Sequence, residues 1–164
     1  MILYHGSAFT VPEPKVIISE IGKDFGFGFY TTNVKEQAVR WAIRKTKIDM
    51  KLNSNANAVL NVYDYNEVAA QKDLIIKVFD KPNIEWLEFI LKCRSDVQFK
   101  HSYDIVIGNI ADDNVGETIA FVMNNIMRKE DAVERLRFSK INNQMCFCSD
   151  KSLAYLKFIY EERV

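Results

Sequence analysis

Five short apolar runs constrain the fold most: MILYHG (1–6), AVLNVYDY (58–65), LIIKVFD (74–80), YDIVIGNIA (103–111) and QMCFC (144–148). Each is strand-length, rich in β-branched and aromatic residues, and bounded by turn-forming or polar residues. Helical patterns fall between them irregularly rather than one after each strand. A doubly wound parallel sheet needs strict alternation, so this order predicts an α+β fold. With 164 residues and 48% hydrophobic content, the chain is long enough to build one core, and a single domain over 1–164 is expected.

The helical patterns are specific. In NVKEQAVRWAIRKTKI (33–48), Asn33 and Glu36 have capping-box spacing, and Val34, Ala38, Trp41, Ala42 and Ile48 fall on or near one face. Pro82 is expected in the first turn of a helix through IEWLEFILKC, with Ile84, Leu87, Ile90 and Leu91 inward. DDNVGETIAFVMNNIMRK reads as an acid-started helix, EDAVERLRF as a short one, and SDKSLAYLKFIYEE as a closing helix capped at Ser149 or Asp150. Residues 7–22 read as a connector and NSNAN (53–57) as a loop.

Charge and cysteine content narrow the function. Lys plus Arg equals Asp plus Glu at 22 each, so no net field draws the chain to a polyanion, and nucleic acid is not an expected partner. No apolar run approaches the roughly 20 residues that span a bilayer, and MILYHGS has neither a basic start nor a long apolar stretch. A soluble, cytoplasmic protein is therefore expected. Cys146 and Cys148 share a strand face, but a CxC without further ligands is a poor zinc site, so no metal is predicted and the cysteines read as reduced structural thiols.

GKDFGFGFYTTN (22–33) packs three glycines, three phenylalanines and a tyrosine into twelve residues. A dinucleotide fingerprint fails, because Gly26 and Gly28 lack a third glycine and position 31 is Thr. A flat aromatic pocket fits better: the glycines let the backbone approach a planar ligand, and Tyr30 offers a ring face to stack on it. His5, before Gly6 and Ser7, sits at a strand end, where neutral imidazole can hold a ribose hydroxyl and the Gly6 backbone and Ser7 hydroxyl an amide. His101 has no such setting and receives no role.

LYHGS (3–7), FGFGFYTT (25–32) and QAVRWA (37–42) together resemble the ADP-ribosyltransferase superfamily, on its His-Tyr-Glu side shared by diphtheria-type toxins and poly(ADP-ribose) polymerases. Over nearly all of 1–160 the chain looks most like a small bacterial family of domains of unknown function placed within it. The resemblance implies a split, bent β-sheet around an NAD cleft. His5 would bond the adenosine-side ribose, and Gly6 and Ser7 the nicotinamide carboxamide. Tyr30 would stack on the nicotinamide, Gly28 would admit the cofactor, and Phe25, Phe27 or Phe29 would form a second wall or the core beneath.

The superfamily's third position is a glutamate on a late strand, and here it falls on Gln144. Gln accepts and donates hydrogen bonds but carries no charge to set against a developing cation, so turnover is less secure than NAD binding. Asp112 and Asp113 are candidate compensating acids, with a helix-capping role as the plainer reading; Glu117 is weaker. Arg40 and Arg44, four apart, reach either a pyrophosphate or solvent. The resemblance implies transfer of ADP-ribose to a macromolecular target, and a role as the toxin of a toxin–antitoxin pair with an antitoxin protein as partner. An inactive NAD-binding module and a protein-interaction domain are the alternatives. The RNA 2′-phosphate-removing branch is disfavoured, since its arginine set is missing.

Overall fold

The computed structural model describes residues 1–19, 22–50, 56–110, 113–136 and 142–164. Among the described residues, seven strands form two sheets. The first joins β1 (Ile2–Ser7), β3 (Val59–Tyr65) and β7 (Leu156–Arg163) in the order β1-β3-β7, all antiparallel. The second runs β2-β6-β5-β4, from β2 (Phe29–Thr31), β6 (Asn142–Phe147), β5 (Ile105–Ile110) and β4 (Ile76–Phe79); only β4 and β5 are parallel. Helices are α1 (Lys35–Asp49), α2 (Glu67–Asp73), α3 (Ile84–Ser95), α4 (Asp113–Met123), α5 (Lys129–Leu136) and α6 (Asp150–Leu153). The mixed order makes the fold α+β, as the irregular spacing of strands predicts. Among the described residues, no helix is long and apolar enough to cross a membrane.

The alternation of side chains along the strands builds four layers. Leu3, Tyr63, Tyr65 and Leu156 of the first sheet meet Phe29, Ile105, Met145 and Phe147 of the second in an inter-sheet core. On the outer side of the first sheet, Leu60 and Val62 pack with Ala38 of α1. On the outer side of the second, Phe79, Val106 and Cys146 pack with Trp86, Leu87 and Ile90 of α3, Ile119 of α4 and Leu136 of α5.

Asn61, fully buried on β3, fastens the connector after β1. Its amide donates to Ser7 Oγ at 3.2 Å and to the Phe9 carbonyl at 3.1 Å, and its carbonyl accepts from Val11 N at 2.7 Å. Asn61→Ala strands these groups and should cost about 2 kcal/mol in urea unfolding. An unchanged midpoint would mean the connector is not held there.

Several expectations need correction. The closing helix is one turn, capped by Ser149, and residues 156–163 are instead strand β7. LKFIYEER has the aromatic and β-branched content of a strand, and β3 offers it a free edge, a tertiary term that local reading lacks. Helix α2, capped by Asn66 Oδ1 accepting from Ala69 N, was not expected. Helix α1 begins at Lys35 without an Asn33 cap; Thr32 Oγ1 takes the Val34 N–H instead at 3.1 Å. Its buried face is Gln37, Ala38, Ala42 and Thr46, while Trp41 and Ile48 are exposed. In α3, Asn83 is the cap, so Pro82 lies before the first turn and not in it; Trp86 and Cys93 join Leu87 and Ile90 inside, and Ile84 lies outside.

Candidate functional site

The two sheets touch along one short seam. Tyr4 N donates to Thr32 O at 2.8 Å and Thr32 N to Tyr4 O at 3.0 Å, a single antiparallel bridge between β1 and β2. An antiparallel ladder repeats every second residue, so its next rung would join Gly6 to Tyr30. That rung is replaced by a side chain: His5 Nδ1 lies 2.7 Å from the Tyr30 carbonyl. The imidazole takes the acceptor that Gly6 N–H would have used. By the same alternation, the Gly6 N–H and C=O point to the β2 edge, where the strands have parted.

His5 is 9% exposed, and its ring stacks on Phe29 with centroids 4.3 Å apart. Burial lowers its pKa to about 4 against the Tyr30 carbonyl, which works to raise it, with Lys45 adding a small push downward. The ring is therefore neutral at pH 7. Donation to a carbonyl requires the proton on Nδ1, leaving Nε2 as an acceptor with no partner among the described residues.

A buried neutral histidine binds fewer protons folded than unfolded. Its contribution is fully present above the ordinary value of 6.5 and is lost as pH falls toward about 4, a difference on the order of 3 kcal/mol. His101, whose pKa is raised, acts in the opposite sense. The stability gap between wild type and His5→Gln should therefore shrink across that window. A gap independent of pH would show that His5 ionises as in solution.

Tyr30 belongs to β2, opposite Cys146 of β6. Its hydroxyl donates to the Gly26 carbonyl at 2.6 Å and accepts from Phe25 N at 3.1 Å, fixing the ring against the turn before it. That turn needs Gly26, whose φ is +79°. Burial and then the neighbouring Cys146 thiol raise the phenol's pKa well above its usual value, so it stays protonated. Adjacent strand residues face opposite ways: Phe29 and the His5 ring lie on the inter-sheet face, the Tyr30 ring on the outer, helix-covered face. The two rings are thus joined through the Tyr30 carbonyl and do not face each other.

Gln144 lies on the same face as Tyr30 and Cys146, two residues or about 7 Å along β6, opposite Gly108. It is partly exposed, and its amide has no hydrogen-bond partner among the described residues. Gly6, Tyr30 and Gln144 therefore share the outer side of the seam. Other candidates separate from them. Ser7 Oγ donates to the Phe9 carbonyl and accepts from Phe9 N and Asn61 Nδ2 at 3.2 Å each, so it is already engaged. Phe25 and Phe29 are core, Gly28 is buried and Phe27 is partly exposed. Arg40 points to solvent, Glu117 pairs with Arg135 at 2.9 Å, Asp113 opens α4, and Asp112 lies outside the described residues.

A family model covers almost the whole chain, matching residues 1–158 to a group described as a protein of unknown function, DUF3990. The chain belongs to the DUF3990 family. No curated protein and no solved structure is recognisably similar to it.

Sequence reading missed two features of this DUF3990 chain near the seam. Trp41, expected inward, is 43% exposed on α1 one residue before Ala42, whose backbone packs on Gly6. His101 lies under the aromatic turn, with Nε2 3.1 Å from the Phe25 carbonyl. Neither was legible from spacing. The Trp41 periodicity is equally good for an inward residue, and His101 is over seventy positions from the turn it supports.

Proposed function

We propose that this chain is an NAD-dependent ADP-ribosyltransferase. The observation that carries the reading is the parted seam. His5 replaces one ladder bond, leaving the Gly6 backbone donor and acceptor beside the fixed ring of Tyr30 and the amide of Gln144, which has no partner among the described residues. A carboxamide on a planar ring needs one donor, one acceptor and a stacking face; the Gly6 edge supplies the first two, and the resemblance assigns the third to Tyr30 on the same outer side. His5 Nε2 is the acceptor that the resemblance assigns to a ribose hydroxyl; its ring lies on the inter-sheet face, across the parted strand edge from Tyr30. The split, bent sheet that the resemblance implies agrees with two sheets touching at one bridge.

The bond to nicotinamide in NAD is the one that breaks, and the ribose carbon passes to a nucleophile on a macromolecular acceptor. Gly6 and Tyr30 orient the nicotinamide, and His5 holds the strand edges apart while accepting from a ribose. Gln144 bonds the nicotinamide-ribose 2′-hydroxyl. Ser7 is not assigned to the carboxamide, because its hydroxyl is already engaged by Phe9 and Asn61. The acceptor class, a role as a toxin and a neutralising antitoxin follow from the resemblance alone.

The test is to incubate the full chain with adenine-labelled NAD and cell lysate while measuring nicotinamide release. Label on a macromolecule, lost in His5→Ala and Tyr30→Ala variants that remain folded, is the expected result. Absence of both transfer and release would overturn the enzymatic reading. The uncharged Gln144 favours one second reading, an NAD-binding module without turnover, which predicts saturable calorimetric binding and no nicotinamide release.

A further inference from the structure

Beneath the aromatic turn, on the face of β6 that lies alongside Tyr30 of β2, are groups for which NAD chemistry has no use. Cys146 and Cys148 have Sγ atoms 3.4 Å apart, and the Cys148 thiol also meets the Cys146 carbonyl at 3.4 Å. Cys146 is fully buried, and a Cβ added to Gly28 would overlap its sulfur. Cys148, at the end of the strand, is partly exposed. His101 stands beside it, held by the Phe25 carbonyl at 3.1 Å and by Tyr103 N–H donating to Nδ1 at 3.3 Å. Phe89, Phe99 and Tyr103 pack around that ring. Among the described residues no group of three ligands is placed to hold a metal ion, which leaves the pair free for thiol chemistry.

We propose that Cys148 and Cys146 form a peroxide-modification site, in which a hydroperoxide oxidises the accessible Cys148 and the buried Cys146 captures it as an intrachain disulfide. The Cys148 thiolate attacks the peroxide. The O–O bond breaks, an S–O bond forms, and the peroxide leaves reduced as an alcohol, or as water when the oxidant is hydrogen peroxide. Cys146 sulfur then attacks the Cys148 sulfenic acid, and its thiol proton leaves with the hydroxyl as water. Two thiols are oxidised by two electrons in all, and one peroxide is consumed. The sulfurs must close from 3.4 Å to about 2 Å, a movement small enough for side-chain rotation at a strand end.

The electrostatics divide the two roles. Hydrogen bonding from Cys146 lowers the Cys148 pKa; burial opposes this and His101 assists it, so Cys148 supplies the thiolate. Burial holds Cys146 protonated until the second step. His101 is itself raised: burial works against its charge, while Cys148 and the Phe25 carbonyl outweigh it. The remaining titratable groups around the pair are Cys93, Tyr30 and Asp24, with Lys92 acting on Cys93.

The test exposes the reduced full chain to hydrogen peroxide, unfolds it in an alkylating agent and maps thiols in the peptide spanning 141–151. The expected result is two unalkylated cysteines, a loss of two hydrogens in that peptide, and an alkylated Cys93. Retention of three alkylated thiols after a dose that oxidises glutathione in the same buffer would overturn the proposal. So would a disulfide through Cys93 or between chains. Cys146→Ser should stop at a sulfenic acid on Cys148, trapped by a cyclic 1,3-dione, and Cys148→Ser should give no fast product. If Cys146→Ser does not fold, the wild-type map decides by itself, since a Cys146–Cys148 link either forms or does not.

Discussion

Gly6→Ala is expected to be the most damaging single-atom addition in the first sheet. A Cβ on Gly6 would overlap the Ala38 carbonyl oxygen and stand 2.6 Å from Ala42 N. Both are backbone atoms of α1, so no side chain can rotate away; the helix must lift off β1 or the strand must shift toward β3. Overpacking against flexible side chains costs about 1–3 kcal/mol, and a clash with a helix backbone belongs at or above the top of that range, on the order of 4 kcal/mol. Gly116→Ala is the control, because a Cβ there meets nothing within 4 Å in α4 and should gain up to about 1 kcal/mol of helix propensity. Urea unfolding of the pair checks this. Equal midpoints would show that α1 is not seated on Gly6, and the parted seam would lose its outer wall.

The same glycine shows where the sequence was legible. HGS marks a strand end with a histidine and a flexible residue, and GFGFYT marks aromatic surface on mobile backbone; both signals are local, and both segments meet at the seam. What local pattern cannot carry is which face a residue takes when its neighbour is far along the chain. Trp41 fits the α1 stripe as well as Ala42, yet α1 crosses β1 so closely that the backbone of Ala38 and Ala42 lies against Gly6, and the indole is left outside. Residues 156–163 look helical beside the short α6, yet β3 draws them into the sheet. Ser7 reads as a free hydroxyl until Asn61, over fifty residues away, claims it. Strand parity did survive folding: Cys146 and Cys148 share a face because period two is a property of the backbone itself.

On the proposed transferase reading, Gln144→Glu is expected to raise nicotinamide release about a hundredfold, while NAD affinity changes far less. The reasoning concerns charge rather than contacts. As the bond to nicotinamide lengthens, positive charge grows on the ribose ring, and a neutral amide on the 2′-hydroxyl orients that ring without stabilising it. A carboxylate at the same Cα, opposite Gly108 and on the face of Tyr30, adds an electrostatic term of about 3 kcal/mol that the ground state does not feel. Gln144→Ala separates the two effects: loss of binding with it would assign the amide to ground-state orientation, and unchanged binding would leave it no role in holding the ribose. If the Glu variant bound NAD with wild-type affinity and released no nicotinamide, Gln144 would not be near the reacting ribose, and the seam would be a binding site only. If neither protein bound NAD, the Gly6 edge would have another ligand, and the aromatic turn would be read as a support for the thiol pair beneath it.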